Sequence, residues 1–209
     1  MIREKFKIAI RTYNKIAKIY SKFTFHKLSQ YQLNKFISML PKKAKVLDAG
    51  CGSGRDAGYF KEYGLDVTAI DAAEKMVEEA KKNVKGIKFK KMDMTKTDFK
   101  DNTFDGIWSA ASLVHNDKKN IPKILGELKR VLKDEGVLYI SVKEGDGEEI
   151  KKEEKYNNEP RPFVYYTLPE IEDMVKQAGF QILNSKFVDD MLKRKDTKWI
   201  DIYCKKPTS

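Results

Sequence analysis

The sequence is poor in the residues that staple or anchor a fold. Its 209 residues hold two cysteines, Cys51 and Cys204, which give neither a disulfide framework nor a metal-binding spacing. No apolar run reaches the roughly 18 residues of a membrane span. Arg3, Glu4, Lys5 and Lys7 open the chain without the apolar stretch that a secretory leader needs. Together these absences point to a cytoplasmic protein with no membrane partner and no metal. Acid is scarce at one end. Residues 1 to 44 hold eleven Lys or Arg against Glu4 alone, while the other 165 residues hold 31 basic and 30 acidic side chains. The net charge of +11 therefore belongs to the N-terminal segment. Such a field attracts anionic partners, nucleic acid included. A Lys- and Glu-rich, heat-tolerant surface that is basic at one end is the plainer explanation.

What is present is organised around residues 46 to 56. Ala44, Val46 and Leu47 read as a short buried strand, Gly50, Gly52 and Gly54 as a turn, and the residues after them as a helix. A strand, a glycine turn and a helix start bring backbone N–H groups close to a ligand and favour a negatively charged or hydrogen-bonding group there. Dinucleotide enzymes use G-x-G-x-x-G at such a turn. Here the spacing is G-x-G-x-G with Asp48 before it, and Arg55 stands where the dinucleotide pattern wants glycine. Cys51, inside the turn, reads as a small packing residue.

The chain in order reads as alternating helices and strands. Phe6, Ile10, Tyr13, Ala17 and Tyr20 share a helix face over residues 4 to 20. Leu33, Phe36, Ile37 and Leu40 share one over 26 to 40, which Pro41 stops. Leu65 to Asp71 forms a second strand. Asp71, about 20 residues past the glycine turn, suits hydrogen bonds from a ribose diol, and it also begins an Asp71–Glu74 capping box. A helix through Met76, Val77, Ala80 and Val84 follows, then a third strand from Ile87 to Met92. Phe104 to Trp108 forms the fourth strand, a stripe from Ile121 to Leu132 the next helix, and Val137 to Val142 the fifth strand. Residues 143 to 162 show no periodicity and read as a long loop over the strand ends, a lid or a mobile segment. Thr167 caps a helix, and Phe180–Val188 and Lys198–Cys204 supply the last strands.

The string Leu47-Asp48-Ala49-Gly50-Cys51-Gly52-Ser53-Gly54 resembles the first motif of class I S-adenosylmethionine-dependent methyltransferases. Thr103 to His115 resembles their fourth strand and following loop. Leu128 to Leu138 resembles their L-K-P-G-G segment, with Asp134-Glu135 in place of proline-glycine. Tyr13-Asn14-Lys15-Ile16-Ala17 with Tyr20 resembles an N-terminal helix of the small-molecule members. The resemblance covers about residues 41 to 204 and implies an α/β, Rossmann-like, seven-stranded and mostly parallel sheet. Its order would be 3-2-1-4-5-7-6, with the last strand antiparallel. Residues 1–40 would form a helical cap on a methyltransferase domain spanning 41–209.

The same resemblance implies S-adenosylmethionine as cofactor and S-adenosylhomocysteine as product. Gly50, Gly52 and Gly54 would shape the cofactor turn, Asp48 would support the methionine moiety and Asp71 the ribose. Asp93 would face the adenine, with Met92 or Met94 on its ring. Met76 would line the same site, and Tyr20, Ser109 and Ala110 would lie near the cofactor, Tyr13 and Tyr20 by the methionine end of the cofactor or the substrate mouth. His115, one of two histidines, would stand near the transferring methyl, either as a general base or as a structural bond-maker. The acceptor is expected to be a small molecule. The alternative is a tRNA or other RNA docked on the basic N-terminal helices; DNA is not expected. A nicotinamide dehydrogenase is disfavoured by the glycine spacing, and a non-catalytic docking protein by the intact Asp48 and Asp71. No Asn-Pro-Pro-Tyr-type motif follows Asp105, so methylation of a base or glutamine amino group has no support of that kind.

Overall fold

Val46, Leu47, Ile107, Leu138 and Ile140 are fully buried, as strands covered on both faces by helices must be. A computed structural model describes residues 4–190 and 197–208 and shows how these strands assemble. Two helices come first, α1 (Glu4–Thr24) and α2 (Gln30–Ser38). β1 (Lys45–Ala49), α3 (Arg55–Glu62), β2 (Asp66–Asp71), α4 (Glu74–Asn83) and β3 (Lys88–Lys91) make one half of the sheet. β4 (Phe104–Ala110), α5 (Ile121–Val131) and β5 (Leu132–Lys143) begin the other. A hairpin of β6 (Glu148–Lys151) and β7 (Arg161–Val164) precedes α6 (Leu168–Gln177), β8 (Gln181–Asp189) and β9 (Lys198–Lys205).

The seven strands of the main sheet lie in the order β3-β2-β1-β4-β5-β9-β8, with β9 antiparallel to both neighbours. With the hairpin set aside, this is the expected 3-2-1-4-5-7-6. Each face carries a core. On one, Ile124, Leu125 and Leu128 of α5 meet Ile107 and Leu138, with Ile171 and Val175 of α6 beside them. On the other, Leu33 and Phe36 of α2 and Ala57 and Phe60 of α3 meet Val46 and Trp108. Trp108 is the hub there. It stacks on Tyr139 with ring centroids 3.8 Å apart and meets Phe36 and Phe60 edge-on. Burying each such large apolar side chain is worth about 1.5–3 kcal/mol.

Two elements differ from the sequence reading. Residues 143 to 162 are not an open loop: β6 and β7 pair antiparallel with Glu148 opposite Val164 and Lys151 opposite Arg161. Periodicity failed here because the strands are only four residues long and β7 is buried at every position. The second difference is at α4, whose N-cap is Ala73 and not Asp71.

The long helix α1 lies across the C-terminal side of the sheet and is tied to the hairpin segment. Thr12 Oγ1 donates to the Pro160 carbonyl at 2.6 Å. Lys15 pairs with Glu159 at 3.0 Å, and Lys5 pairs with both Asp117 and Glu148 at 2.7 and 2.8 Å. Tyr20 and Phe23 pack on Tyr156 with centroids 5.8 and 5.9 Å apart. Part of the basic charge of the N-terminal segment is therefore matched inside the molecule. The result is a roof over the strand ends.

Candidate active site

The chain passes from β1 to β2 on one side and returns to β4 on the other. The C-terminal ends of β1 and β4 thus form a topological switch point, where open α/β sheets hold their ligands. The cleft under the roof opens there. Gly50 and Cys51 both donate backbone N–H to the Ile70 carbonyl at 2.9 Å, which pins the glycine turn against β2. Gly50 has φ +89° and is packed so tightly on Ser112 that a Cβ would lie 2.4 Å from the serine Cβ. Gly54, at φ +84°, is the N-cap of α3.

Two carboxylates flank this turn. Asp71 Oδ2 accepts from Gly52 N–H at 2.9 Å, and Oδ1 accepts from Ala73 N–H at 2.8 Å. One side chain therefore ties the glycine turn to the start of α4 and still has acceptor capacity on each oxygen. Burial raises its pKa above the ordinary carboxylate value, while N–H groups of Ala73, Gly52 and Ala72 oppose that rise. Asp48 is 2 % exposed, and its Oδ2 has no hydrogen-bond partner among the described residues. Burial pushes its carboxyl well up, Asp56 and Asp71 add to the shift, and Arg55 opposes it. Arg55 is itself clamped on Asp56 by two bonds of 2.6 and 2.9 Å, and Trp108 Nε1 donates to Asp56 at 3.0 Å. A buried carboxylate with an orphaned oxygen calls for a donor or cation from outside the chain.

Gly50, Gly52, Asp48 and Asp71 line the cleft, and so do Met76, Met92 and Met94. Tyr13, Tyr20, Ala110 and His115 line it as well. Three expected residues are not at the wall. Gly54 serves the helix start. Ser109 is fully buried, its hydroxyl 2.6 Å from that of Ser112. Asp93 closes its own loop, Oδ1 accepting from both the N–H and the hydroxyl of Thr95 at 2.8 and 2.9 Å. Among the described residues no group of His, Cys, Asp and Glu side chains could hold a metal ion.

His115 sits in a single 3-10 turn just after β4. Its Nδ1 lies 2.7 Å from the Pro162 carbonyl, which can only accept, so Nδ1 carries the hydrogen. Nε2 is then an acceptor, and the Tyr13 hydroxyl donates to it at 3.0 Å. Burial lowers the histidine pKa to about 4, opposed by the Pro162 bond and assisted by Arg161 and Lys143. The imidazole is neutral at physiological pH. It fixes the tyrosine hydroxyl at the cleft wall and is a weak proton acceptor in this state.

The far half of the cleft rests on β5 and β9. Tyr139, Ser141 and Lys143 pair across to Tyr203, Asp201 and Trp199, and the two-residue period puts all six on one face. Above them the hairpin contributes Arg161, which is ion-paired with Glu153 and lies 4.3 Å from the centroid of Tyr156. Lys143 is 1 % exposed, with Nζ 3.9 Å from the Phe163 ring centroid. Asp56, Lys143 and Asp201 were not singled out from the sequence. The one available signal was polarity inside otherwise apolar strands, as in Ser141-Val142-Lys143 and Ile200-Asp201-Ile202.

Comparison with known proteins fits this geometry. Residues 46–136 match the family model of a methyltransferase domain. A malonyl-[acyl-carrier protein] O-methyltransferase of Erwinia pyrifoliae is 36% identical over 107 residues, 51% of this chain and 40% of that protein. A phosphoethanolamine N-methyltransferase of Plasmodium falciparum is 30% identical over 160 residues, 72% of this chain and 59% of that protein. The chain thus spans less than two thirds of the length of either curated relative. Among solved structures, the 1,6-didemethyltoxoflavin-N1-methyltransferase of Burkholderia thailandensis superposes with a TM-score of 0.73 at 22% identity. That superposition covers 100% of this chain and 92% of the other, and it establishes the shared fold.

Proposed function

We propose, from the premise that this chain belongs to the class I S-adenosylmethionine-dependent methyltransferases, that it methylates a small-molecule acceptor in the cleft under α1 and the β6–β7 hairpin. One observation carries the reading. A single cleft runs from the glycine turn and Asp71 to the floor of β5 and β9, with the Tyr13–His115 pair on its wall. Bound at the switch point, S-adenosylmethionine would supply a methyl carbon open to in-line attack by an acceptor lone pair, the carbon–sulfur bond breaking as the acceptor–methyl bond forms and S-adenosylhomocysteine leaving.

The chain's own residues fit such a cofactor. Asp71 has spare acceptor capacity for ribose hydroxyls, and the orphaned Asp48 oxygen suits the ammonium of the methionine moiety. Met76, Met92 and Met94 offer a soft apolar wall for adenine. Asp93, bonded to Thr95, orders the loop that carries two of these methionines. The roof excludes water, and Tyr13, held by His115, orients the acceptor. The names of both curated relatives place their methyl groups on small or carrier-bound acceptors, which supports a small-molecule acceptor here. Lys5 and Lys15 are engaged with the hairpin and its surroundings, which weakens the case for the N-terminal helix as an RNA dock.

Two measurements test the reading. The protein is expected to bind S-adenosylhomocysteine and not NAD in calorimetry, and to move label from methyl-labelled S-adenosylmethionine into the small-molecule fraction of a cell extract. Tight NAD binding would overturn it, and nuclease-sensitive label in RNA would replace the acceptor.

Asp48→Asn gives a sharper expectation. A carboxyl whose pKa is raised by folding holds its proton more tightly in the native chain than in the unfolded one. Its contribution favours folding below the unfolded value of about 4 and is lost as pH rises through the raised native value. At pH 8 the ligand-free variant is therefore expected to melt about 2–4 °C above the parent, an advantage that fades as the pH falls toward 4. Its affinity for S-adenosylhomocysteine is expected to fall. A variant less stable than the parent at pH 8 would mean that Asp48 is well satisfied within the fold.

A further inference from the structure

Among the described residues the cleft wall carries more acid than base, in a protein that is basic as a whole. Among the described residues its wall carries Asp48, Asp56, Asp71, Asp189, Asp190 and Asp201. Against them stand Arg55, Lys143 and Arg161, in a chain whose net charge is +11. Arg55 is committed to Asp56, and Arg161 to Glu153 of the roof. Asp48 and Asp71 belong to the cofactor half. At the other end the described residues place Asp189, Asp190, Asp201 and Lys143 on the wall.

Within that end Asp201 stands out. It is 1 % exposed, in the middle of β9. Its Oδ1 accepts from the Tyr139 hydroxyl at 2.7 Å, which fixes the carboxylate. Among the described residues no donor meets its Oδ2 in full hydrogen-bonding geometry. The Gln32 and Ser141 side chains act as further, weaker hydrogen-bond partners of the carboxyl and the Lys186 charge on the neighbouring strand assists them, yet burial dominates and raises the carboxyl above its ordinary value. A carboxylate kept in this state costs stability unless something pairs with it. Asp190 is different, since it accepts from the Trp199 indole at 2.9 Å.

The register gives the reach. Ala110 of β4 pairs with Ser141 of β5, which pairs with Asp201 of β9. Two strand spacings separate Ala110 from Asp201, about 10 Å between backbones. A group bound by Asp201 therefore belongs to a small molecule whose other end reaches the β4 terminus. Tyr139, stacked on Trp108, and Trp199, whose ring centroid lies 5.9 Å from Lys143 Nζ, flank this position along the same sheet face.

We infer that Asp201 is the docking carboxylate for a cationic, amine-bearing acceptor, which it holds by an ammonium group two strands away from the site of methyl transfer. The inference rests on the methyltransferase reading and adds the substrate class.

The test uses three probes with one skeleton: 2-phenylethylammonium, 2-phenylethanol and phenylacetate. Each is titrated by calorimetry into the full chain saturated with S-adenosylhomocysteine. The ammonium probe is expected to bind at least about tenfold more tightly than phenylacetate, the order expected for a charge-assisted hydrogen bond. Asp201→Asn is expected to erase that preference and leave S-adenosylhomocysteine affinity within about twofold, showing an intact cofactor half. Equal or undetectable binding of the three probes, tighter binding of phenylacetate, or a preference that survives Asp201→Asn overturns the inference while the methyltransferase reading stands. Failure of the parent protein to bind S-adenosylhomocysteine at all overturns that reading, and the inference with it.

Discussion

Replacing Asp71 by Ala is expected to lower affinity for S-adenosylhomocysteine at least a hundredfold, about 2.7 kcal/mol. The loss has two sources. The variant removes the acceptor for the ribose hydroxyls, and hydrogen bonds to a charged group contribute about 1.5–3 kcal/mol. It also frees the N–H groups of Gly52 and Ala73, both of which Asp71 now holds. The glycine turn and the start of α4 would then lose their common tether, and the cofactor would have to order them. Calorimetry with S-adenosylhomocysteine measures the effect, and circular dichroism confirms that the sheet is formed. The turn is pinned independently by two bonds to Ile70, so the variant is expected to fold. Unchanged affinity in a folded variant would take Asp71 out of the cofactor site.

Asp71 also shows how far the sequence could be read. Its distance from the glycine turn marked it as a ligand-facing acid. The capping-box reading failed because three-residue spacing to Glu74 is only a local signal, and the chain turns two residues later than that spacing implies. Thr167, by contrast, does cap α6, accepting from Glu170 N–H at 3.4 Å. The strands were legible because their apolar runs are long, and their order because the motifs resemble those of class I methyltransferases. The β6–β7 hairpin was not legible. Its strands are four residues long, β7 is buried at every position, and the segment leading into it is held across the fold by Thr12 on Pro160 and Tyr20 on Tyr156.

The site divided along the same line. Gly50, Gly52 and Asp71, singled out by their spacing, line the cleft. Residues placed by strand register could not be found that way. Asp201 and Lys143 become part of the cleft only because β9 inserts antiparallel beside β5, 60 positions away in the chain for the Ser141–Asp201 pair. Asp93 was assigned by its place after the third strand, but side-chain direction is a separate question. Thr95, two residues on, supplies both an N–H and a hydroxyl and captures the carboxylate. His115 was legible as a residue near β4. Its state was not, because the Pro162 carbonyl that fixes its tautomer and the Arg161 beside it come from the hairpin.

Gly50→Ala is expected to be the most damaging single methyl in the chain. At φ +89° an L-residue carries a backbone penalty of about 1–2 kcal/mol. The new Cβ would also lie 2.4 Å from Ser112 Cβ and 3.1 Å from its Oγ. A clash between two Cβ atoms cannot be relieved by rotating a side chain, so the β4-to-α5 connection or the turn itself must shift. Overpacking of this kind costs about 1–3 kcal/mol. Together the two effects predict a loss of about 2–5 kcal/mol and a melting temperature lower by about 5–15 °C. S-adenosylhomocysteine binding should weaken as well, since the displaced turn carries Gly52. Ser112→Gly separates the causes. It removes the opposing Cβ, along with the 2.6 Å Ser109–Ser112 hydroxyl contact, so alone it should be mildly destabilising. In the double variant the steric part should vanish while the backbone part remains, giving a favourable coupling of about 1–3 kcal/mol in a double-mutant cycle. Strict additivity would mean that conformational strain alone fixes glycine at position 50. A Gly50→Ala protein that melts within about 2 °C of the parent would show that the turn has slack, and that its backbone is not held close against Ser112.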